Sequence, residues 1–211
     1  AAHVDLRWKT DEISAQMIES KVATFLGGGR HFFLPEEMEG KRKDARNLLE
    51  EVNASHTLLT TKDEMKDFND NKLGKVFGLF ADEHLRSIDS PDNHSSEPSL
   101  SEMLQFAVKR SGQFINNGCK GFFIMGEGSQ VDWAGHSNSL EYLKREMQDL
   151  DSAVEWAFNY AKENTDTLVV VTADHETGGL LIEPANPADY NGNEVKFSFN
   201  TAVGRGTHTG V

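Results

Sequence analysis

Two short runs of the chain are rich in the side chains that hold metal ions. The first is Gly121-Phe122-Phe123-Ile124-Met125-Gly126-Glu127-Gly128-Ser129-Gln130-Val131-Asp132-Trp133-Ala134-Gly135-His136. The second is Val169-Val170-Val171-Thr172-Ala173-Asp174-His175-Glu176-Thr177-Gly178-Gly179. Asp132 and His136 have the spacing that places two side chains over one another on a helical turn, so both can reach one ion. Asp174 and His175 are adjacent, and a loop just past a strand can turn both toward one ion. Imidazole with carboxylate is a borderline-soft ligand set that suits Zn2+. Glu127, a lone carboxylate completed by water, suits Mg2+ better. A bland reading stands beside this one: Asp-x-x-x-His pairs are common, and Asp174 could cap a following helix. On spacing alone both readings stay open.

The elements that must position these runs follow from periodicity. Residues 11–21 have helical spacing and lead into an apolar run, Val22-Ala23-Thr24-Phe25-Leu26, that closes on Gly27-Gly28-Gly29. A strand ending on glycines belongs at the carboxyl edge of an α/β sheet. Residues 41–53 read as a surface helix, and 57–61 and 75–80 as strands around another polar helix. Residues 87–99 are the clearest loop, with Ser99 and Ser101 as caps for a helix over 101–115. Residues 121–125 and 167–172 read as strands, the second apolar enough for the middle of a parallel sheet. Residues 140–162 form a long amphipathic helix with Leu143, Met147, Leu150, Val154 and Phe158 on one face. The alternation is α/β, and ligands of such sheets gather where strands end, as both ligand runs do. No internal boundary is expected over 1–211.

Charge narrows the partners. Lys and Arg number 21 against 34 Asp and Glu, a net charge of -13. Such a surface repels nucleic acid, and an anionic substrate needs a strong local positive charge, from metal ions and a well-placed Arg. Cys119 is the sole cysteine, so a zinc site here must use His and carboxylate rather than thiolate, and Cys119 itself reads as a small buried or loop residue. No apolar run reaches the length of a membrane span. Both ends read as cuts inside a longer protein.

Glu127-Gly-x-x-x-Asp132-x-x-x-His136, Thr172-Ala173-Asp174-His175-x-x-Gly178-Gly179 and Gly206-Thr207-His208-Thr209-Gly210 are similar to the three C-terminal signatures of alkaline phosphatases, in the family's order. Ala2-His3-Val4-Asp5-Leu6-Arg7 resembles the segment that carries the family's phosphate-binding Arg, and residues 22–35 resemble a further family segment. The resemblance implies a three-layer α/β sandwich around a mainly parallel sheet, incomplete for want of an N-terminal part. It implies that Asp132, His136 and His208 hold a first zinc, that Asp174 and His175 hold a second, and that Glu127 is a ligand of one magnesium. Arg7 would clamp two phosphate oxygens, a task suited to the planar guanidinium. Trp133 stands where other members carry Lys or His that tunes phosphate and magnesium binding.

What the resemblance implies about activity is hydrolysis of phosphate monoesters through a phosphoserine, by an exported (periplasmic or secreted) homodimer. The chain departs from the family pattern in lacking the serine nucleophile, the bridging Asp and a short magnesium segment, so on its own it is expected to be inactive. Ser129 reads as a turn residue rather than a substitute nucleophile. A phosphodiesterase of the same superfamily and a zinc-binding piece without turnover are the alternatives. His31, His56, His84 and His94 have no partners at ligand spacing and read as surface or core histidines.

Overall fold

A computed structural model describes residues 2–69, 74–88, 90, 96–184 and 195–199, with backbone alone for 182–184 and 195–197. The chain divides into two compact units, Ala1–Arg86 with Ser90–Met125, and Ser87–Asp89 with Gly126–Val211.

In the first unit, β1 (Thr24–Gly27), β2 (Thr57–Leu59) and β3 (Val76–Leu79) form a parallel sheet in the order β1-β3-β2. Phe77 of the central strand lies opposite Phe25 on one side and Leu58 on the other. All four residues of β3 are buried, as a strand covered on both faces requires. Its side chains alternate between two cores. Phe77 and Leu79 join Phe33, Leu48 and Val52, against α1 (Thr10–Glu19) and α2 (Leu48–Ser55). Val76, and Phe80 just beyond the strand, join Leu59, Met65, Met103 and Phe106, from α3 (Lys62–Lys66) and α4 (Leu100–Asn116) on the other face. Helices, sheet and helices make the three layers expected of the fold. Full burial of side chains such as Leu48, Val52 and Phe77 is worth about 1.5–3 kcal/mol each.

Helix ends in this unit follow local chemistry. Ser99 and Glu102 form a reciprocal capping box at the start of α4, and Thr61 and Glu64 do the same for α3. The helix expected over 41–53 begins later, at Leu48, because the Asn47 side chain accepts from the N–H groups of Leu49 and Glu50 and sets the cap there. Arg42, upstream of that cap, is buried and donates to Asp44, to Ser14 Oγ (2.6 Å) and to the carbonyls of Asp11 and Phe32. It thereby ties α1 to the loop before α2.

The second unit holds α5 (Gln130–His136), α6 (Leu140–Glu163) and an antiparallel pair, β4 (Leu180–Pro184) with β5 (Val195–Phe199). The expected apolar stripe on α6 is partly covered: Leu143, Leu150 and Val154 are half-buried. Glu146 and Ala153 are its buried residues, whereas Met147 and Phe158 are exposed. Polar partners also meet this helix: Tyr142 donates to Gln130, and the Glu146 carboxylate accepts from the Ile88 N–H at 2.8 Å. No helix among the described residues is long and apolar enough to cross a membrane.

The strands expected over 121–125 and 167–172 do not form. Both segments lie outside helices and strands, with Phe123 91% and Leu168 85% exposed. A strand exists only where a neighbour takes up its N–H and C=O groups, and neither segment has a ladder partner among the described residues.

Candidate metal centre

The candidate ligand residues of the second unit sit on α5 and on the turn that leads into β4. Asp132 lies in the first turn of α5 and His136 is its last residue, so the i, i+4 spacing is realised on a helix. Asp132 Oδ2 stands 3.4 Å from His136 Nε2. In the second pair, His175 Nε2 stands 3.4 Å from Asp174 Oδ2. Donors about 2.1 Å from a tetrahedral ion are about 3.4 Å from each other, so each pair has the separation of two ligands on one zinc. The fit is one of donor chemistry and edge length.

Hydrogen bonds orient the second pair. His175 Nδ1 lies 2.8 Å from the Glu176 carbonyl oxygen, and the Asp174 carboxylate accepts from the His175 N–H at 3.1 Å. The contact to the Glu176 carbonyl raises the His175 pKa above the ordinary histidine value, and the carboxylates of Asp174, Asp132 and Glu176 add to it against the opposing effect of burial. Glu176 in turn accepts from the Gly179 N–H at 2.9 Å, which closes the turn.

The two pairs are joined. Thr177 Oγ1 donates to Asp132 Oδ1 and lies 3.2 Å from His175 Nδ1. The backbones approach closely here. A Cβ on Gly135 would stand 2.8 Å from the Thr177 carbonyl oxygen, and one on Gly178, whose φ is +82°, would stand 2.6 Å from the Gly135 carbonyl oxygen. Thr177 was hidden in sequence as an unassigned position between His175 and Gly178. The one signal was its place before two glycines after a ligand pair.

Other expected residues are placed as follows. Glu127 is exposed, three residues before α5. Trp133 is half-exposed on α5. Arg7 is exposed in a turn ahead of α1, in the first unit. His208 lies outside the described residues, as does His94. Among the described residues no group of three or more His, Cys, Asp or Glu converges on one ion position. Ser129 is the residue before α5 and its side chain makes no capping bond. His31 pairs with Asp82, which also accepts from Arg30, and His56 packs edge-on against Phe77, burial pushing its pKa down with help from Lys75. Cys119 is exposed, just past α4.

Comparison with known proteins bears on this arrangement. The family described as alkaline phosphatase matches residues 3–202. Alkaline phosphatase 4 of Bacillus subtilis is 38% identical over 188 residues, which are 86% of this chain and 37% of that protein. The repressible alkaline phosphatase of Saccharomyces cerevisiae is 30% identical over 210 residues, 90% of this chain and 37% of that one. Among solved structures, the alkaline phosphatase of the Antarctic bacterium TAB5 superposes with a TM-score of 0.76 at 33% identity, over 99% of this chain and 57% of that chain. A variant of the TAB5 enzyme was solved with Mg bound. The chain thus spans little more than a third of the curated relatives' length.

Proposed function

The chain belongs to the alkaline phosphatase family, and from that premise we propose that residues 1–211 form the C-terminal part of one phosphatase domain that hydrolyses phosphate monoesters at two zinc ions and a magnesium. Asp132 and His136, with His208, hold the first zinc; Asp174 and His175 hold the second; Glu127 serves the magnesium; and Arg7 receives two oxygens of the phosphate. The observation that carries this reading is the pair of 3.4 Å donor separations, Asp132 to His136 and Asp174 to His175.

Bound zinc supplies Lewis acidity toward phosphate oxygens and lowers the pKa of a coordinated hydroxyl or water. Of the chain's own groups, Arg7 binds the phosphate. The Arg7 guanidinium offers paired N–H donors to two phosphate oxygens and complements their charge as it spreads in the transition state. A site of this kind also explains how a chain of net charge -13 receives a dianion. The attacking serine is not among the matching positions of these residues. The family resemblance further supports an exported homodimer, periplasmic or secreted.

The experiment has two arms. Zinc bound per chain is measured by metal analysis after dialysis, for the parent and for His136→Ala and His175→Ala; each variant is expected to lose zinc. Hydrolysis of p-nitrophenyl phosphate at alkaline pH is then followed with zinc and magnesium and with a chelator. No turnover by residues 1–211, restored in a chelator-sensitive way by the longer family-length protein, is the expected result. Unchanged zinc content in both variants would sink the ligand assignment.

A further inference from the structure

The Thr177 hydroxyl touches both ligand pairs and belongs to neither. We propose that Thr177 is a positioning residue that links the two pairs, fixing which carboxylate oxygen of Asp132 is presented to metal while accepting from the His175 Nδ1–H that the Glu176 carbonyl already holds. The inference rests on the zinc reading of those pairs.

The direction of each hydrogen bond follows from what each atom can donate. A carbonyl oxygen only accepts, so the 2.8 Å contact between His175 Nδ1 and the Glu176 oxygen places a proton on Nδ1. In the neutral ring Nε2 is then the lone-pair nitrogen, and it is the atom that stands 3.4 Å from Asp174 Oδ2. Thr177 has one hydroxyl proton. It goes to Asp132 Oδ1, so toward His175 Nδ1, 3.2 Å away, the same oxygen is an acceptor. Protons thus point one way along the chain, from His175 to Thr177 to Asp132. With Oδ1 engaged, Asp132 presents Oδ2, the oxygen 3.4 Å from His136 Nε2. Outer contacts of this kind set tautomer, orientation and basicity of metal ligands.

The main chain holds the hydroxyl in place. Gly135 of α5 and Gly178 of the turn meet where added Cβ atoms would stand 2.8 Å from the Thr177 carbonyl oxygen and 2.6 Å from the Gly135 carbonyl oxygen. The threonine is therefore carried by two backbones in contact, so its hydroxyl is preorganised against Asp132.

Thr177→Val removes the hydroxyl and keeps the shape; Thr177→Ser keeps the hydroxyl. Zinc affinity is read by competition with a fluorescent chelator. The His175 tautomer is read by long-range 15N–1H NMR on the metal-free protein at alkaline pH. The expected result is a loss of zinc affinity of roughly 10–100-fold in Thr177→Val with the His175 tautomer kept as Nδ1–H, and recovery of affinity in Thr177→Ser. Parent-like affinity in Thr177→Val would overturn the proposal. So would failure of Thr177→Ser to recover it. Should Thr177→Val not fold, Thr177→Ala replaces it, judged by the same readouts. Asp132→Ala separates the two ideas: zinc bound as tightly as by the parent sinks the zinc reading, whereas weaker binding in Asp132→Ala with parent-like binding in Thr177→Val sinks the positioning role alone.

Discussion

The strand β3 and the segment 167–172 are composed alike and end differently. Val76-Phe77-Gly78-Leu79 is buried throughout and bonded to a neighbour on each side. Thr167-Leu168-Val169-Val170-Val171-Thr172 has an apolar run of the same length, yet it makes no ladder, and Val170 is 73% exposed. Residues 121–125 behave as 167–172 do. The difference lies in what stands alongside. β3 has β1 and β2 to take up its backbone groups and helices to cover both faces, whereas the other two segments have no described neighbour to play either part. Apolar pattern makes a segment ready for a sheet; a strand exists once hydrogen bonds to a neighbour replace those to water.

The sharpest way to break that comparison is to remove the same ring from each side of it. Phe77→Ala is expected to cost about 3–5 kcal/mol in urea denaturation, through lost burial and the cavity it leaves. Phe123→Ala is expected to change stability by less than about 0.5 kcal/mol. Equal costs would mean that 121–125 is packed after all.

A smaller effect tests how far local chemistry stands apart from partners. Ser99→Ala breaks the capping box of α4 and should cost about 1 kcal/mol, visible as a lower urea midpoint at unchanged slope. In the second unit, the Tyr142 phenol is pushed up to about 12, by burial first and by the Glu146 carboxylate second. Because its folded pKa lies above the ordinary tyrosine value of about 10, its share of stability is present below about pH 10 and is lost as pH rises through about 12. Tyr142→Phe should therefore flatten the fall in melting temperature over that window. The least expected change is in Val170→Lys. Its stability should stay within about 0.5 kcal/mol of the parent, while light scattering on warming falls, since a charge on an exposed apolar segment blocks pairing between copies.

Much of the fold was legible in the residues. The apolar run over 22–26, the buried run over 75–80 and the Ser99 cap gave β1, β3 and the start of α4, because those signals are local and concern backbone period and end groups. The spacing of Asp132 and His136 likewise placed both on one helical turn. Other features were not legible. On α6, Tyr142 meets Gln130 and Glu146 meets the Ile88 N–H, contacts that apolar period does not encode. The helix expected over 41–53 shortened because Asn47 capped it, a choice among several polar residues that composition did not rank.

What the sequence determined by itself was the set of local preferences: where helices and apolar runs fall, and which ligand types stand at ligand spacing. What tertiary structure alone decided was which apolar runs became strands, which polar partners α6 met, and that Thr177 would reach Asp132 across 45 residues of chain. The physical reason is the same in each case. A backbone period is a property of neighbours along the chain, whereas a hydrogen-bond partner or a covering face is supplied by residues distant in sequence, and their free energy is realised only once the chain has brought them together.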